Sequence, residues 1–293
     1  MTLDIGRVGI WTGALDPHPA GAVRDAALEL EALGFATLWI PEAVGRDPFV
    51  LSANLLGATS TLRLATGIAN IYARDPMTMN AGQRSLVEAY PDRFLLGLGV
   101  SHLHLVEHVR KHRYDKPLSY MRTYLAAMAK SRYFAAGPEE QPPIVLAALG
   151  PKMLELAATA TAGAHPYFVP VEHTAYAREV MGPDALLAPE QMVVLDADPT
   201  SARATARAGM KIYTDLPNYK NNLLRHGFVE DDFTDGGSDR LVDAIVAWGP
   251  MDRIVERVRA HHDAGADHVC VQVLRPDREL PLAAWRTLAD ALL

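Results

Sequence analysis

Short apolar runs recur along the whole chain and are rich in Val, Ile, Leu and aromatic residues. Because these runs do not alternate with polar residues, they are typical of strands covered on both faces, as in a parallel sheet. They predict eight strands, at residues 7–11, 36–40, 63–71, 93–98, 143–148, 164–169, 191–195 and 268–273. Between the runs, apolar residues follow a helical spacing, as Val23, Ala27 and Leu30 do.

A glycine stands at three junctions between a predicted helix and the next strand, at Gly34, Gly163 and Gly265. Glycine can adopt the left-handed conformation that ends a helix. Eight strands alternate with helices, and no linker rich in Pro, Gly or Ser interrupts them. The sequence therefore predicts one α/β domain over residues 1–293, a (β/α)8 TIM barrel. An open doubly wound sheet is the alternative, and the number of strands weighs against it.

Two stretches depart from this alternation. Residues 101–140 are long for one helix, and residues 213–240 are predicted to be an insertion with turns. Long insertions in a barrel often build part of the active-site mouth.

Composition restricts the class of partner. The 293 residues carry a net charge of −7, which argues against nucleic acid. The single cysteine, Cys270, excludes an internal disulfide and a Cys-rich zinc site, and we interpret it as a buried packing residue. The sequence shows no signal peptide, and its apolar stretches fall far short of the ~18 residues of a spanning helix. We therefore expect a cytoplasmic protein without a membrane partner.

The segment from Leu149 to Met153 follows a predicted strand and opens a helix. Pro151 suits the first helical position, and Gly150 before it lets a ligand approach the backbone closely. The free N–H groups of such a helix start can bind a phosphate or carboxylate, and Lys152 adds charge. An ordinary turn between strand and helix is the alternative.

Two further strand ends carry candidate residues. Gly97 and Gly99 close the fourth strand, where glycine indicates a close approach by a ligand or by another backbone. Tight packing inside the barrel is the alternative. The run lacks the third glycine of a dinucleotide fingerprint. Glu42 follows the second strand, and a carboxylate there is expected at the barrel mouth. Trp11 and Trp39 also end strands, where they can belong to the mouth or the core.

Three histidines, His104, His108 and His112, stand four residues apart and would share one helical face. This spacing suits a metal site. However, basic residues crowd the segment and no carboxylate joins at helical spacing, so we predict a solvated helix and no metal.

Four segments together resemble the bacterial luciferase-like superfamily. They are LGFATLWIPE (33–42), the run from TGIAN to GVSH (66–102), the run from ALGPK to YFVP (148–170) and the run from GPMDR to HVCV (249–271). The resemblance extends from about residue 7 to 275. It looks closest to the branch of coenzyme F420-dependent oxidoreductases, while other branches use FMN with oxygen. It implies a TIM barrel and a homodimer.

The resemblance also implies roles for residues at matching positions. Members carry a non-prolyl cis peptide in the third strand, which here matches Gly67–Ile68 and backs the deazaflavin ring. The end of the fourth strand lies beside the ring, and the helix start at Gly150 cradles the coenzyme's phosphate. The residues that this assigns to the coenzyme are Gly67, Ile68, Ala69, Gly99, Val100, Ser101, Leu149, Gly150, Pro151, Lys152 and Met153.

The chain departs from the sugar-phosphate dehydrogenases of this superfamily. Their Asp-His pair after the second strand is Glu42-Ala43 here, their acid after the fourth strand is His102, and their phosphate-binding lysine falls near Val171. Glucose 6-phosphate is therefore not expected as the substrate. We predict that His102 and Glu42 handle protons. A helix-start cap at His102 and a surface carboxylate at Glu42 are the alternatives.

The function that the resemblance implies is hydride transfer between coenzyme F420 and a small organic substrate. An FMN-dependent monooxygenase on the same barrel is one alternative. A cofactor-free binding protein on a degenerate barrel is another, and the intact segments at Gly67 and Gly150 speak against it.

Overall fold

The computed structural model describes residues 4–293, in which parallel strands alternate with helices. The strands are β1 (Val8–Trp11), β2 (Thr37–Ile40), β3 (Arg63–Thr66), β4 (Ala69–Asn70), β5 (Phe94–Gly99), β6 (Ile144–Leu146), β7 (Gly163–Ala164), β8 (Leu186–Leu187), β9 (Glu190–Val194), β10 (Val246–Trp248) and β11 (Val269–Val273). The helices are α1 (Ala20–Ala32), α2 (Pro48–Ala58), α3 (Pro76–Ala89), α4 (Pro117–Ala129), α5 (Pro151–Ala160), α6 (Val171–Met181), α7 (Pro199–Thr214), α8 (Pro217–Arg225), α9 (Asp239–Ile245), α10 (Met251–Asp263) and α11 (Leu282–Leu292).

The strands form one curled parallel sheet in the order β10-β9-β11-β1-β2-β3-β5-β6-β7-β8, with β4 paired to β5. Only two residues separate β8, at one end of this path, from β9, which is second from the other end. The sheet therefore closes through one interrupted strand, and β10 lies outside the closed ring. Ala188 N–H donates to the Ala164 carbonyl at 2.9 Å on one side. On the other, Asp267 N–H donates to the Leu187 carbonyl at 2.9 Å. The sheet is therefore a TIM-type barrel, as predicted.

Every predicted strand is present, but two predictions of extent are wrong. The strand predicted at 63–71 is divided at Gly67–Ile68 into β3 and β4. The strand predicted at 164–169 is β-paired only at Gly163–Ala164. Pro166 has no N–H to donate, and Phe168 adopts a left-handed φ of 58°, so the chain leaves the sheet there.

Both irregular stretches contain short helices, which the sequence did not predict for residues 213–240. Residues 101–140 contain a π-helical turn, His104–Val109, and then α4. Residues 213–240 contain the end of α7, all of α8 and a 3-10 segment, Glu230–Gly236. In the described part of the chain, no helix is both long and apolar enough to cross a membrane.

Aromatic and imidazole rings occupy the barrel interior. The Trp39 ring is fully buried and stacks on His165 with ring centroids 4.3 Å apart. Its indole N–H donates to Nε2 of His268 at 3.0 Å. Cys270 is buried among these strands, which confirms its interpretation as a packing residue.

Candidate functional site

The carboxyl ends of the parallel strands meet at one mouth of the barrel, and a backbone bulge lies in its wall. The Gly67–Ile68 peptide bond between β3 and β4 is cis, as predicted. Gly67 N–H donates to the Ile40 carbonyl at 2.8 Å, and the Trp11 indole N–H donates to the Gly67 carbonyl at 3.1 Å. Glu42 N–H donates to the Ile68 carbonyl at 3.2 Å. Strands β1 and β2 thus hold the bulge in place.

The glycines of β5 exist because of this bulge. A Cβ atom on Gly97 would overlap the Thr66 carbonyl oxygen, and one on Gly99 would overlap the Ile68 side chain. Packing of protein atoms, the Thr66 carbonyl oxygen and the Ile68 side chain, therefore accounts for both glycines without a ligand. Gly99 therefore lets Ile68 lie flat against β5.

His102 lies three residues beyond β5, after Val100 and Ser101, and is partly buried. Its Nδ1 atom lies 3.3 Å from Oδ1 of Asn218, the second residue of α8. Since Oδ1 only accepts, this contact makes Nδ1 the donor and leaves Nε2 as an acceptor. Burial lowers the pKa of His102 below its usual value, and the hydrogen bond to Asn218 opposes this only in part. The ring is therefore neutral at neutral pH.

Glu42 is more enclosed than either sequence-based interpretation expected, since only 6% of its side chain is exposed. Its Oε2 accepts from Asn70 N–H at 2.8 Å and from Nη1 of Arg74 at 2.7 Å. Nη2 of Arg110 lies 3.4 Å from its Oε1. The alternative of a surface carboxylate is thus wrong. These partners favour a role in fixing β4 and the bulge, and the predicted proton transfer by Glu42 stays a prediction.

A basic corner lies at the start of α5. Gly150 is the residue before the helix and makes no side-chain cap, and Pro151 is the first helical residue. A Cβ atom on Gly150 would meet nothing closer than Nη1 of Arg225, at 3.6 Å. His173 contacts the Leu149 carbonyl through Nε2 at 2.9 Å and fixes the turn. The open helix start therefore faces a guanidinium group, while Lys152 is exposed.

Sequence reasoning missed Arg225. The only available signal was a basic residue within the irregular stretch 213–240, and nothing in the pattern placed it beside Gly150.

An aromatic wall lines the mouth beside His102, and of its members the sequence indicated only Trp11. It consists of Trp11, Tyr167, Phe168, Tyr213 and Tyr219. Neighbouring rings contact one another, with Trp11 and Tyr167 centroids 5.0 Å apart and Phe168 and Tyr219 centroids 5.3 Å apart. The Tyr167 hydroxyl lies 2.8 Å from Oε1 of Gln272 and 2.9 Å from the Tyr213 hydroxyl. Burial raises the pKa of Tyr167 and Tyr219 well above the usual value, so these hydroxyls stay protonated.

Beneath this wall lies a buried carboxyl group, Glu190, at the start of β9. Phe168 N–H donates to its Oε2 across 3.4 Å, and Oε1 has no partner among the described residues. Burial raises the pKa of Glu190 to about 8, and the contact with Phe168 only partly opposes it. The group is therefore mostly protonated at neutral pH.

The sequence and the fold are similar to those of known proteins. Residues 5–268 match the family of luciferase-like monooxygenases. The chain belongs to this family. In Mycobacterium tuberculosis, the protein named "Putative coenzyme F420-dependent oxidoreductase Rv3520c" is 25% identical, over 95% of this chain and 97% of that protein. The resemblance that the sequence suggested is thus confirmed.

Two solved structures share the fold of this luciferase-like chain at low identity. The coenzyme F420-dependent tetrahydromethanopterin reductase from Methanopyrus kandleri has a TM-score of 0.78 and 17% identity, over 97% of each chain. The oxygenating constituent of 3,6-diketocamphane monooxygenase from Pseudomonas putida, in complex with FMN, has a TM-score of 0.72 and 15% identity. That match covers 98% of this chain and 97% of the other.

The histidines of residues 104–112 do not share one helical face in this luciferase-like barrel. His104 and His108 lie on the π-helical turn with ring centroids 5.2 Å apart, and His112 lies beyond it. The described residues include no group of three or more His, Cys, Asp or Glu side chains placed to hold a metal ion.

Proposed function

We propose that the protein is an oxidoreductase that transfers a hydride between the deazaflavin coenzyme F420 and a small organic substrate. The observation that carries the proposal is that three features follow the neighbouring strands β3, β5 and β6 at the mouth. They are the bulge at Gly67–Ile68, the neutral imidazole of His102 and the open helix start at Gly150. The F420-dependent names among the family relatives support the choice of coenzyme.

The residues present fit a flat ring that carries a phosphorylated chain. Ile68, held against β5, offers an apolar support for a ring, and Gly67 and Ala69 flank it. At the start of α5, the N–H groups of Gly150 and Lys152 have no partner among the described residues. They lie near Arg225, which suits a phosphate. F420, when bound, supplies a hydride acceptor or donor at C5 of its ring.

The His102 side chain would transfer the proton that accompanies the hydride. Nε2 of neutral His102 is free to take a proton from a substrate hydroxyl, and the protonated ring can return it to a carbonyl oxygen. Glu42 and Arg74 would hold the bulge at its place in the mouth. The aromatic wall would exclude water from the reacting atoms. We also propose, from the family alone, that the protein is a homodimer.

An FMN-dependent monooxygenase is the second candidate. The family's description and the structural likeness to an FMN-bound monooxygenase favour it. A cofactor-free binding protein is the third, and the close packing of the aromatic wall over the mouth favours it.

Oxygen separates the candidate reactions. The purified protein is mixed with oxidised F420 and a panel of small alcohols under anaerobic conditions, and the visible absorbance of the coenzyme is followed. Bleaching that needs both protein and alcohol supports the proposal. Turnover only with reduced FMN and dioxygen, measured as oxygen consumption, would replace it with the monooxygenase.

A further inference from the structure

Helix α8 covers one side of the mouth, and three of its polar residues form a stripe. Asn218, Asn222 and Arg225 are spaced i, i+4 and i+7, which places them on one edge of the helix. Asn218 contacts His102 at the end of β5, and Arg225 lies beside Gly150 at the start of α5. The α8 stripe therefore runs from the predicted ring site to the predicted phosphate site.

The middle residue of the stripe has no partner. Asn222 is fully buried, and neither Nδ2 nor Oδ1 forms a hydrogen bond within the described part of the chain. Buried carboxamides are almost always paired, because an unpaired buried donor and acceptor each destabilise the folded state. Such a group is expected where a ligand completes its hydrogen bonds.

Arg225 gives a second, independent indication. It is exposed, and it forms no ion pair with any carboxylate of residues 4–293. Arg74 and Arg110 differ in this respect, since both face Glu42. An unpaired guanidinium beside a helix start strengthens the attraction of that start for a phosphate.

We propose that the α8 stripe binds a polyhydroxylated chain that ends in a phosphate, with Asn222 on the hydroxyl groups and Arg225 on the phosphate. This inference rests on the proposed function and deepens it, since F420 and FMN both carry such a chain. A carboxamide both donates and accepts, as a chain of hydroxyls requires. Lying between His102 and Gly150, Asn222 is placed at the middle of that chain.

The test compares ligands with and without phosphate. The parent, Asn222→Leu and Arg225→Gln are titrated with F420, its phosphate-free deazaflavin, FMN and riboflavin, following ligand fluorescence. Asn221→Leu, on the exposed neighbouring position, is the matched control. We expect Arg225→Gln to weaken only phosphorylated ligands, by about tenfold or more. We expect Asn222→Leu to weaken every ligand that the parent binds, and Asn221→Leu to weaken none.

Thermal unfolding without ligand distinguishes a ligand-binding role of Asn222 from a structural one. Because Asn222 has no partner, its replacement by leucine of similar size should leave the unfolding midpoint unchanged or raise it. A midpoint several degrees lower would assign Asn222 a structural role and overturn its part of the inference. Since Arg225 is exposed, we expect Arg225→Gln to fold. Its affinity for phosphorylated ligands therefore tests the contact between Arg225 and the phosphate.

The outcomes distinguish a failure of this inference from a failure of the proposed function. If the parent binds F420 or FMN and both variants bind it equally well, the α8 stripe is not part of the site, while the proposed function stands. If the parent binds none of the four ligands, both fail.

Discussion

The buried carboxyl group of Glu190 makes the pH dependence of stability a sensitive test of the barrel interior. Its pKa is raised by burial to about 8, from an ordinary value of 4.5. The folded protein therefore holds a proton that the unfolded chain releases. A raised pKa in an acid contributes stability that is fully present below pH 4.5 and is lost as the pH rises to about 8.

The expected slope follows from this proton. Between pH 6.5 and 7.5, Glu190 should lower the free energy of unfolding by about 1 kcal/mol per pH unit. The buried histidines act in the opposite direction at the lower end of this window. Burial lowers the pKa of His165 and His268 to about 4, whereas their unfolded counterparts, with an ordinary value of 6.5, still bind protons there and make stability rise with pH. Comparison of the parent with a Glu190 variant cancels this contribution, because the variant keeps the same histidines. Burial also raises the pKa of neighbouring Tyr213 to about 12.

Glu190→Gln replaces the protonated acid with a neutral group of the same shape. Urea unfolding of parent and variant at several pH values gives the difference in stability between them. Between pH 6.5 and 7.5, that difference should shift in favour of the variant by about 1 kcal/mol for each pH unit. Glu179→Gln, at an exposed position on α6, is the control and should follow the parent. Parallel profiles for the parent and Glu190→Gln would show that Glu190 is ionised in the fold.

Three further predictions concern the site and the assembly. His102→Asn should slow single-turnover hydride transfer by about 10²-fold or more with little change in coenzyme affinity. The asparagine keeps a polar group but cannot take the proton. An unchanged rate would show that His102 has only a structural role. Gly150→Val should weaken coenzyme binding while the circular dichroism spectrum is retained, because the valine side chain would crowd the space shared with Arg225. Unchanged affinity would refute phosphate binding at the start of α5. Light scattering at micromolar concentration should give twice the chain mass of 31.9 kDa, and a mass of one chain would refute the homodimer.

The barrel could be predicted because each long strand is also a local apolar run. Strands β8 and β10 could not, since two or three residues carry no pattern. The break in the third strand was predictable only through the family resemblance, because Gly67–Ile68 looks like ordinary strand sequence. The helices within residues 213–240 contain many Asn, Asp and Gly residues, which local pattern reads as turns.

The site was only partly predictable, for a similar reason. Strand ends mark the mouth, so His102 and Gly150 could be placed there by position. Their partners come from an insertion, and Asn218 is 116 residues from His102 in the chain. The burial of Glu42 between Arg74 and Arg110 likewise depends on two loops that meet only in the fold.

Binding of the coenzyme by the purified protein tests the central claim most directly. F420 and FMN are titrated separately into the protein at neutral pH, and the quenching of each ligand's fluorescence is followed. We expect saturable binding of F420 at one site per chain, tighter than the binding of FMN. Gly150→Val should weaken it. Tight binding of FMN alone would contradict the choice of coenzyme, and binding of neither would contradict the assignment as an oxidoreductase.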